Sequence, residues 1–476
     1  MLSSKSFPAF FQTFFRCPEK DSIAIILIIG IAIVSSLMII ANPGFFNHDE
    51  WDKADHVMRH GFGGYVHDYV RLQQTLEFGH PIRPVSFFIQ GIAALFMHGY
   101  PFVVHLMDVL MHAAVGAMFF VAIRRVHENR QFAWASAIIF LISPLAAFSV
   151  AWPAALMDRL YILFGLVAFV AAYDYINQKR TVISLTIVFI ASSMAILSKE
   201  TALILPATLI VLPLFSLISL RNKRLWVAFV VWCIPIILYL LYRAPALANS
   251  VSGAISTPYS ASLTNVPEGL IIYAIYPFLW PLVEAHAWHV QLLPRIWFAG
   301  LAHATLLILL WRALSFRVML AYLGGYALFL IPILPIASKA AHYLYGSGLV
   351  TSIAIAALLA GKWSEARKFR LLIPLAMLMV LTLHSLVIQR DIYQTGVCMS
   401  VASKTIESSY LATGSPSEMS IIVDDGAPGH VLRRYATHRE IIGMNLPLKM
   451  QVFDAINKAE DKSTYRFNTN CIVYKT

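Results

Sequence analysis

The feature that most constrains this chain is its succession of long apolar runs, with the charges collected in short stretches between them. A helix needs about 20 apolar residues to cross a bilayer. Runs of that order lie at 23–41, 101–123, 133–150, 157–176, 181–198, 202–220, 225–242, 296–311, 318–337, 345–361 and 369–388. In lipid each segment must pair its own backbone polar groups, so each run reads as a helix. Only 13% of the 476 residues are charged, against about 25% in soluble domains. A water-soluble chain could not cover its surface with so little. The expected fold class is an all-α polytopic membrane bundle of about eleven helices, followed by a small external α/β C-terminal domain.

The basic residues set the orientation. A net charge of +11 would ordinarily raise the question of nucleic acid, but it is dispersed in clusters between the runs. These are Arg124, Arg125 and Arg130; Lys179 and Arg180; Arg221, Lys223 and Arg224; Arg312 and Arg317; and Lys362, Arg367, Lys368 and Arg370. That is the positive-inside pattern of a membrane protein, and no nucleic-acid partner is expected. Two further runs, 84–98 and 268–283, are short and interrupted by polar residues or proline. If both crossed the bilayer, the clusters at 124–130, 179–180 and 221–224 would face outward. If both are half-embedded, every cluster faces the cytoplasm. The second solution gives a cytoplasmic N-terminus over 1–22, a transmembrane module over 23–388 with external loops 42–100, 151–157 and 243–295, and an external tail over 389–476. No small-residue cleavage site follows the first run, which reads as an uncleaved helix. Within the tail, SIIVD at 420–424 and CIVY at 471–474 read as strands and VLRRYATH as a helix. Cys17 falls inside and Cys233 within a span, whereas Cys398 and Cys471 share the oxidising side and are expected to form a disulfide.

Charged groups at membrane depth are functional candidates. Here the acids gather on the external side: His48, Asp49, Glu50 and Asp52 after the first run, Asp158–Arg159 in the second loop, and Lys199–Glu200 farther on. Lys339 and His342 end the ninth run on the same side. Carboxylates there would activate an acceptor and cations would hold a phosphate. Each group also has a plainer reading. Asp49, Glu50 and Asp52 fit a solvated loop capping a helix near Trp51. Asp158 and Arg159 fit a local pair at a helix start, and Lys199–Glu200 a structural turn. His48, Asp52, His56 and His60 recur every four residues, a spacing compatible with a divalent metal ion. Asp108 lies inside a run with His105 and His112 one turn away on either side, which fits a buried hydrogen-bonded network. No GxGxxG, Walker, HExxH or GxSxG pattern occurs, so a lipid-linked sugar suits an external site better than a nucleotide sugar.

An acidic pair just after the first span, followed by Arg83-Pro84 opening a short apolar segment, resembles the GT-C superfamily of membrane glycosyltransferases. His105-Leu106-Met107-Asp108-Val109-Leu110-Met111-His112 resembles the H-L-x-N-x-x-L-H stretch of its tetratricopeptide-linked O-mannosyltransferase branch, with Asp108 for the usual Asn and Met111 for the usual Leu. Trp152 to Phe164, Leu197-Ser198-Lys199-Glu200-Thr201 and Ala341-His342-Tyr343-Leu344-Tyr345 are similar to that branch too, although the last lacks its Glu-Arg before the Tyr. The resemblance implies an acidic general base in the first loop and a dolichyl- or undecaprenyl-phosphate sugar donor. Asp49 is the expected base, with Glu50 as the alternative and Asp158 orienting the acceptor or a metal ion. Arg83 and Lys339 are the chief phosphate ligands, with Arg159 and His342 as lesser ones. Asp52, His105, Asp108, His112, Lys199 and Glu200 support them. The expected acceptor is an envelope glycan or lipid at a bacterial inner membrane. The rival readings are a transporter or flippase using Asp108 and the external acids, and an O-antigen polymerase or ligase working from a late loop.

Overall fold

The computed structural model of the chain describes residues 18, 20–45, 48–74, 82–97, 99–179, 181–214, 218–251, 261–278, 296–337, 339–360, 371–412, 418–429, 431–432, 449–454 and 464–475. Cys17, Arg180, the cluster at 362–370 and most of VLRRYATH lie outside the described residues, as do the side chains of His48, Asp49 and Asp52.

The apolar runs are helices. Asp21–Ser35 (α1) breaks at Ser36 and resumes as Leu37–Ile40 (α2). His48–Gln74 (α3) is two helices joined at Gly61, whose φ of 67° suits glycine. Pro84–Met97 (α4) and Pro101–Val126 (α5) each begin on proline, which fits a helix start because its missing N–H would have no partner there. Arg130–Leu141 (α6) is capped by the Asn129 side chain and Pro144–Ala151 (α7) by Ser143, with a 52° bend between them. A 3₁₀ turn, Pro153–Ala155, leads into Leu156–Ile176 (α8). Thr181–Ile196 (α9), a 3₁₀ stretch Glu200–Ala207, Thr208–Leu214 (α10), Lys223–Val251 (α11) and Val266–Ile275 (α12) follow. The last helices are Ile296–Leu309 (α13), Phe316–Leu330 (α14), Tyr345–Ala360 (α15) and Leu372–Ala412 (α16).

Helices α5, α8 and α9 pack side by side, and α15 packs on α6. Close approach relies on small residues, as is usual between helices in lipid. At Gly116 an added Cβ would stand 2.7 Å from the Leu141 side chain.

Six helices among the described residues are long and apolar enough to cross a membrane, or seven if the bent pair α6–α7 makes one span. The expected eleven are not reached, and the shortfalls have local causes. The first run is divided at Ser36. The run at 181–198 gives 16 helical residues, a rise of about 24 Å against a hydrocarbon core of about 30 Å. The run at 202–220 begins as 3₁₀ helix and carries Pro206 and Pro213. The run at 318–337 stops at Leu330, before Pro332 and Pro335.

The tail also differs from expectation. Its first part is the continuation of α16, a single 41-residue helix that passes through position 389 without a break. Beyond it lies a four-stranded sheet of order β2-β1-β3-β4: Glu418–Val423 (β1), Lys449–Asp454 (β2), Thr464–Phe467 (β3) and Val473–Lys475 (β4). Strand β1 runs parallel to β2 and β3, and β4 is antiparallel to β3. Cys398 of α16 is disulfide-bonded to Cys471 at a Cα–Cα distance of 5.2 Å. Met399, Ala402 and Ile406 of α16, Met419, Ile421, Tyr465 and Phe467 of the sheet, and Ala54, Val57 and Tyr65 of α3 are buried in one apolar cluster.

Candidate functional site

The first turn of α8 is the hub. Successive residues on a helix point about 100° apart, so Met157, Asp158 and Arg159 reach three different neighbours. Asp158 Oδ1 accepts from Lys199 Nζ at 2.5 Å. Arg159 donates to Asp108 of α5 and to the Ser149 carbonyl of α7. Met157 Sδ receives Arg83 Nη1 at 2.8 Å, while Arg83 Nε donates to Glu200 Oε2 at 2.8 Å. Three acid–base pairs thus converge from four segments: Glu200–Arg83, Asp158–Lys199 and Asp108–Arg159.

Burial sorts the pairs. Asp108–Arg159 and Asp158–Lys199 have side-chain exposures of 5% and 0%, and of 1% and 4%. Arg83 and Glu200 keep 25% and 29%. Burial works against the charge of Arg83, but the Glu200 carboxylate holds its pKa above the ordinary arginine value. Burial likewise draws the Lys199 ammonium below the lysine range, against the pull of Asp158. Lys199 also lies 4.8 Å from the Tyr343 ring centre, and Tyr343 packs on His342 at 4.1 Å. The His342 ring packs edge-on to Trp152 at 4.8 Å.

The local pairing expected between Asp158 and Arg159 does not form, since adjacent helical residues do not face one another. The network expected around Asp108 is also different. His105 donates from Nε2 to the Gly44 carbonyl at 2.9 Å, and His112 bridges Tyr345 and the Leu141 carbonyl. With His112 Nε2 donating to Leu141 O, its Nδ1 is the acceptor for the Tyr345 hydroxyl at 2.8 Å. The acid's own partner is Arg159 of α8, 51 residues farther along the sequence.

Lys339 is placed apart from the pairs. Its ammonium donates to the carbonyls of Asn265, Leu334 and Ile336, where it caps the chain that leaves α14. The first loop reaches the hub through its backbone and one tyrosine. Helix α3, which carries Asp49 and Glu50 in its first turn, packs against Pro153–Ala155. The Arg83 backbone N–H donates to Tyr69 OH at 2.6 Å. Glu50 is fully buried. His56 Nε2 lies 3.0 Å from Asp68 Oδ2, spanning the Gly61 kink. No group of three His, Cys, Asp or Glu among the described residues is placed to hold a metal ion.

No family profile and no curated protein matches the chain in sequence. Its shape is similar to several solved structures. One is an oligosaccharyltransferase from Archaeoglobus fulgidus tethered to an acceptor peptide, with TM-score 0.44, 11% identity, and 84% of this chain and 62% of that one covered. Another is ArnT from Cupriavidus metallidurans bound to undecaprenyl phosphate, with TM-score 0.45, 14% identity, and 89% and 85% covered. A third is the arabinofuranosyltransferase AftD from mycobacteria, with TM-score 0.40, 16% identity, and 89% and 31% covered. The chain thus spans less than two thirds of the archaeal enzyme's length.

Several residues of the site had no signal of their own in the sequence. Met157 and Tyr69 are ordinary apolar and aromatic positions, and only their contacts with Arg83 single them out. Tyr345 lies in the stretch Ala341–Tyr345, but its bond to His112, more than two hundred residues away in sequence, needs the fold.

Proposed function

We propose that the chain is a GT-C-type membrane glycosyltransferase that moves a sugar from a polyprenyl-phosphate donor to a glycan or lipid acceptor at the external face of the membrane. The observation that carries this is the convergence of three acid–base pairs around the first turn of α8, with α3 packed on the Pro153–Ala155 turn that leads into it. Burying that many charges is costly, and such groups in membrane proteins mark sites of chemistry or passage. The motifs that resemble the GT-C superfamily fall on these same residues.

The parts divide as follows. Asp49 removes the acceptor proton as the new glycosidic bond forms, with Glu50 as the alternative base. Asp158, held by Lys199, orients the acceptor. Arg83 is the phosphate ligand best placed to act, because its pair with Glu200 keeps access to solvent. His342 stands on the same side beside Tyr343. Arg159 is committed to Asp108 and Ser149, and Lys339 to three carbonyls, so their part is to hold the frame.

The test is incubation of the purified protein with a panel of polyprenyl-phosphate sugars, following donor consumption. Loss of a general base lowers rate by about 10²–10⁴-fold. Asp49→Asn is expected to show that loss with donor binding kept. If Asp49→Asn and Glu50→Gln both retain most activity, the first loop is not the catalytic loop.

A further inference from the structure

A cavity of about 350 Å³ lies at the end of the bundle where α1 begins and α5 ends, far from the hub at the start of α8. Its walls are Asp21, Phe120, Val121, Arg124 and Arg125. The two arginines follow one another in the last turn of α5, about 100° apart, and reach to different neighbours. Arg125 Nη1 donates to Asp174 of α8 at 3.1 Å, and Arg124 Nε lies 3.8 Å from Asp21 of α1. Arg124 Nη1 donates to the Glu128 carbonyl. Among the described residues this leaves Nη2 of Arg124, and both Nε and Nη2 of Arg125, without a protein acceptor. Asp21 is shared, since Arg130 also donates to it from Nε at 2.8 Å. One turn along α5, about 6 Å farther into the bundle, Phe120 and Val121 make the floor apolar.

We propose that this cavity binds the phosphodiester headgroup of an anionic phospholipid, with Arg124 and Arg125 on the phosphate and an acyl chain laid along α5. Charge is the first argument. An arginine fork matches the oxygens of a phosphate, and here two forks with free donors stand side by side. The first N–H groups of α1 lie at the same end, where the helix dipole favours an anion, and the arginines offset the opposite pole of α5. Size is the second. Pockets that take small ligands begin at about 300 Å³, so the cavity holds a headgroup and not merely a water. Depth is the third, and it separates a lipid from a soluble anion. Below Arg125, at spacings of three and four residues, Val121, Ala117, Ala114 and Leu110 are apolar and at least partly exposed. They form one stripe of α5 on the outside of the bundle, running away from the charged rim. A free phosphate would meet only the rim, whereas a phospholipid also covers the floor and the stripe. Basic pockets between membrane helices take anionic headgroups in this way. The inference is independent of the chemistry at the hub.

The full chain, purified in a neutral detergent, is titrated with phosphatidylglycerol, with phosphatidylcholine of the same chains, and with inorganic phosphate, and thermal unfolding is followed. Phosphatidylglycerol is expected to raise the unfolding temperature saturably, and the other two to leave it unchanged at the same concentrations. Arg125→Gln should raise the half-saturating concentration about fivefold, the share of one arginine at an anionic surface. Asp21→Asn removes the carboxylate that competes for Arg124 and should lower that concentration. Arg312 is a basic position outside the cavity wall, and Arg312→Gln should leave it unchanged. A second measurement does not depend on unfolding. Val121→Cys places a thiol in the wall, with Cys233, a free thiol elsewhere in the bundle, as the internal reference. Phosphatidylglycerol is expected to slow its labelling by N-ethylmaleimide relative to Cys233, read by peptide mass, and phosphatidylcholine is not. Equal responses to the two lipids, equal weakening by Arg125→Gln and Arg312→Gln, or no protection of Val121→Cys would each overturn the site. A response to inorganic phosphate as large as that to phosphatidylglycerol would show a soluble-anion site and reject the lipid.

Discussion

Asp108–Arg159 and Glu200–Arg83 stand at the same hub but in different surroundings, and they should answer differently to mutation. Arg159 is fully buried, so removing it leaves the Asp108 charge without compensation. Breaking a buried pair costs about 3–5 kcal/mol. Arg159→Met is therefore expected to lower the unfolding temperature markedly in detergent, and Asp108→Asn added to it should recover part of the loss. A double variant as unstable as the single would show that Arg159 acts through packing alone. The outer pair is partly solvated, where truncation costs about 0–1 kcal/mol. Glu200→Gln should thus leave stability nearly unchanged but remove the anion that competes with a phosphate for Arg83. Binding of undecaprenyl phosphate is expected to tighten in Glu200→Gln and to weaken in Arg83→Gln, as measured by ligand-dependent thermal shift. The same effect in both variants would take Arg83 out of the phosphate site.

Among the elements, α16 ties the sheet to the bundle. Ser409 Oγ approaches the Val473 carbonyl at 3.4 Å, Thr405 Oγ1 accepts from Val473 N–H at 3.0 Å, and the Cys398–Cys471 bridge closes a separation of 73 residues. For a loop of that length the chain-entropy estimate is about 4 kcal/mol. Cys398→Ser with Cys471→Ser should therefore accelerate hydrogen exchange in β1 and β3 while α8 and α5 keep their protection. Uniform acceleration through the bundle would contradict a local role. The cysteine pair was legible because only these two share the tail. The length of α16 was not, because Arg390 and Asp391 end the apolar run and polarity reads like a boundary. The backbone shows instead a helix that leaves the apolar layer and buries Met399, Ala402 and Ile406 under the sheet. The acids and bases of the hub were likewise visible as residue types, but not as pairs. Asp158 and Arg159 are neighbours in sequence and turn to opposite partners, which only the packing of α5, α8 and the Lys199 turn decides.

At the scale of the whole molecule the pairings fix which ends of the helices lie together. Asp21, at the start of α1, accepts from Arg130 Nε at 2.8 Å and lies 3.8 Å from Arg124 at the end of α5. Arg125 reaches Asp174 near the end of α8 at 3.1 Å, and Arg224 at the start of α11 donates to the Tyr175 carbonyl at 3.3 Å. The basic clusters at 124–130 and 221–224 therefore share one end of the bundle with the beginning of α1. The hub is built from the opposite end of α8, by its first turn. This is the arrangement expected if α1 and α5 cross the bilayer and α4 does not, because one further crossing between them would carry the clusters to the other side from Asp21. We propose, from the positive-inside bias, that this shared end faces the cytoplasm. Reporter fusions or cysteine labels at residues 127 and 222 are expected to read as cytoplasmic, and Cys398–Cys471 should be oxidised in the opposite compartment. External labelling at 127 and 222 would invert the bundle, put the hub and the first loop in the cytoplasm, and remove the basis for a donor delivered at the external face.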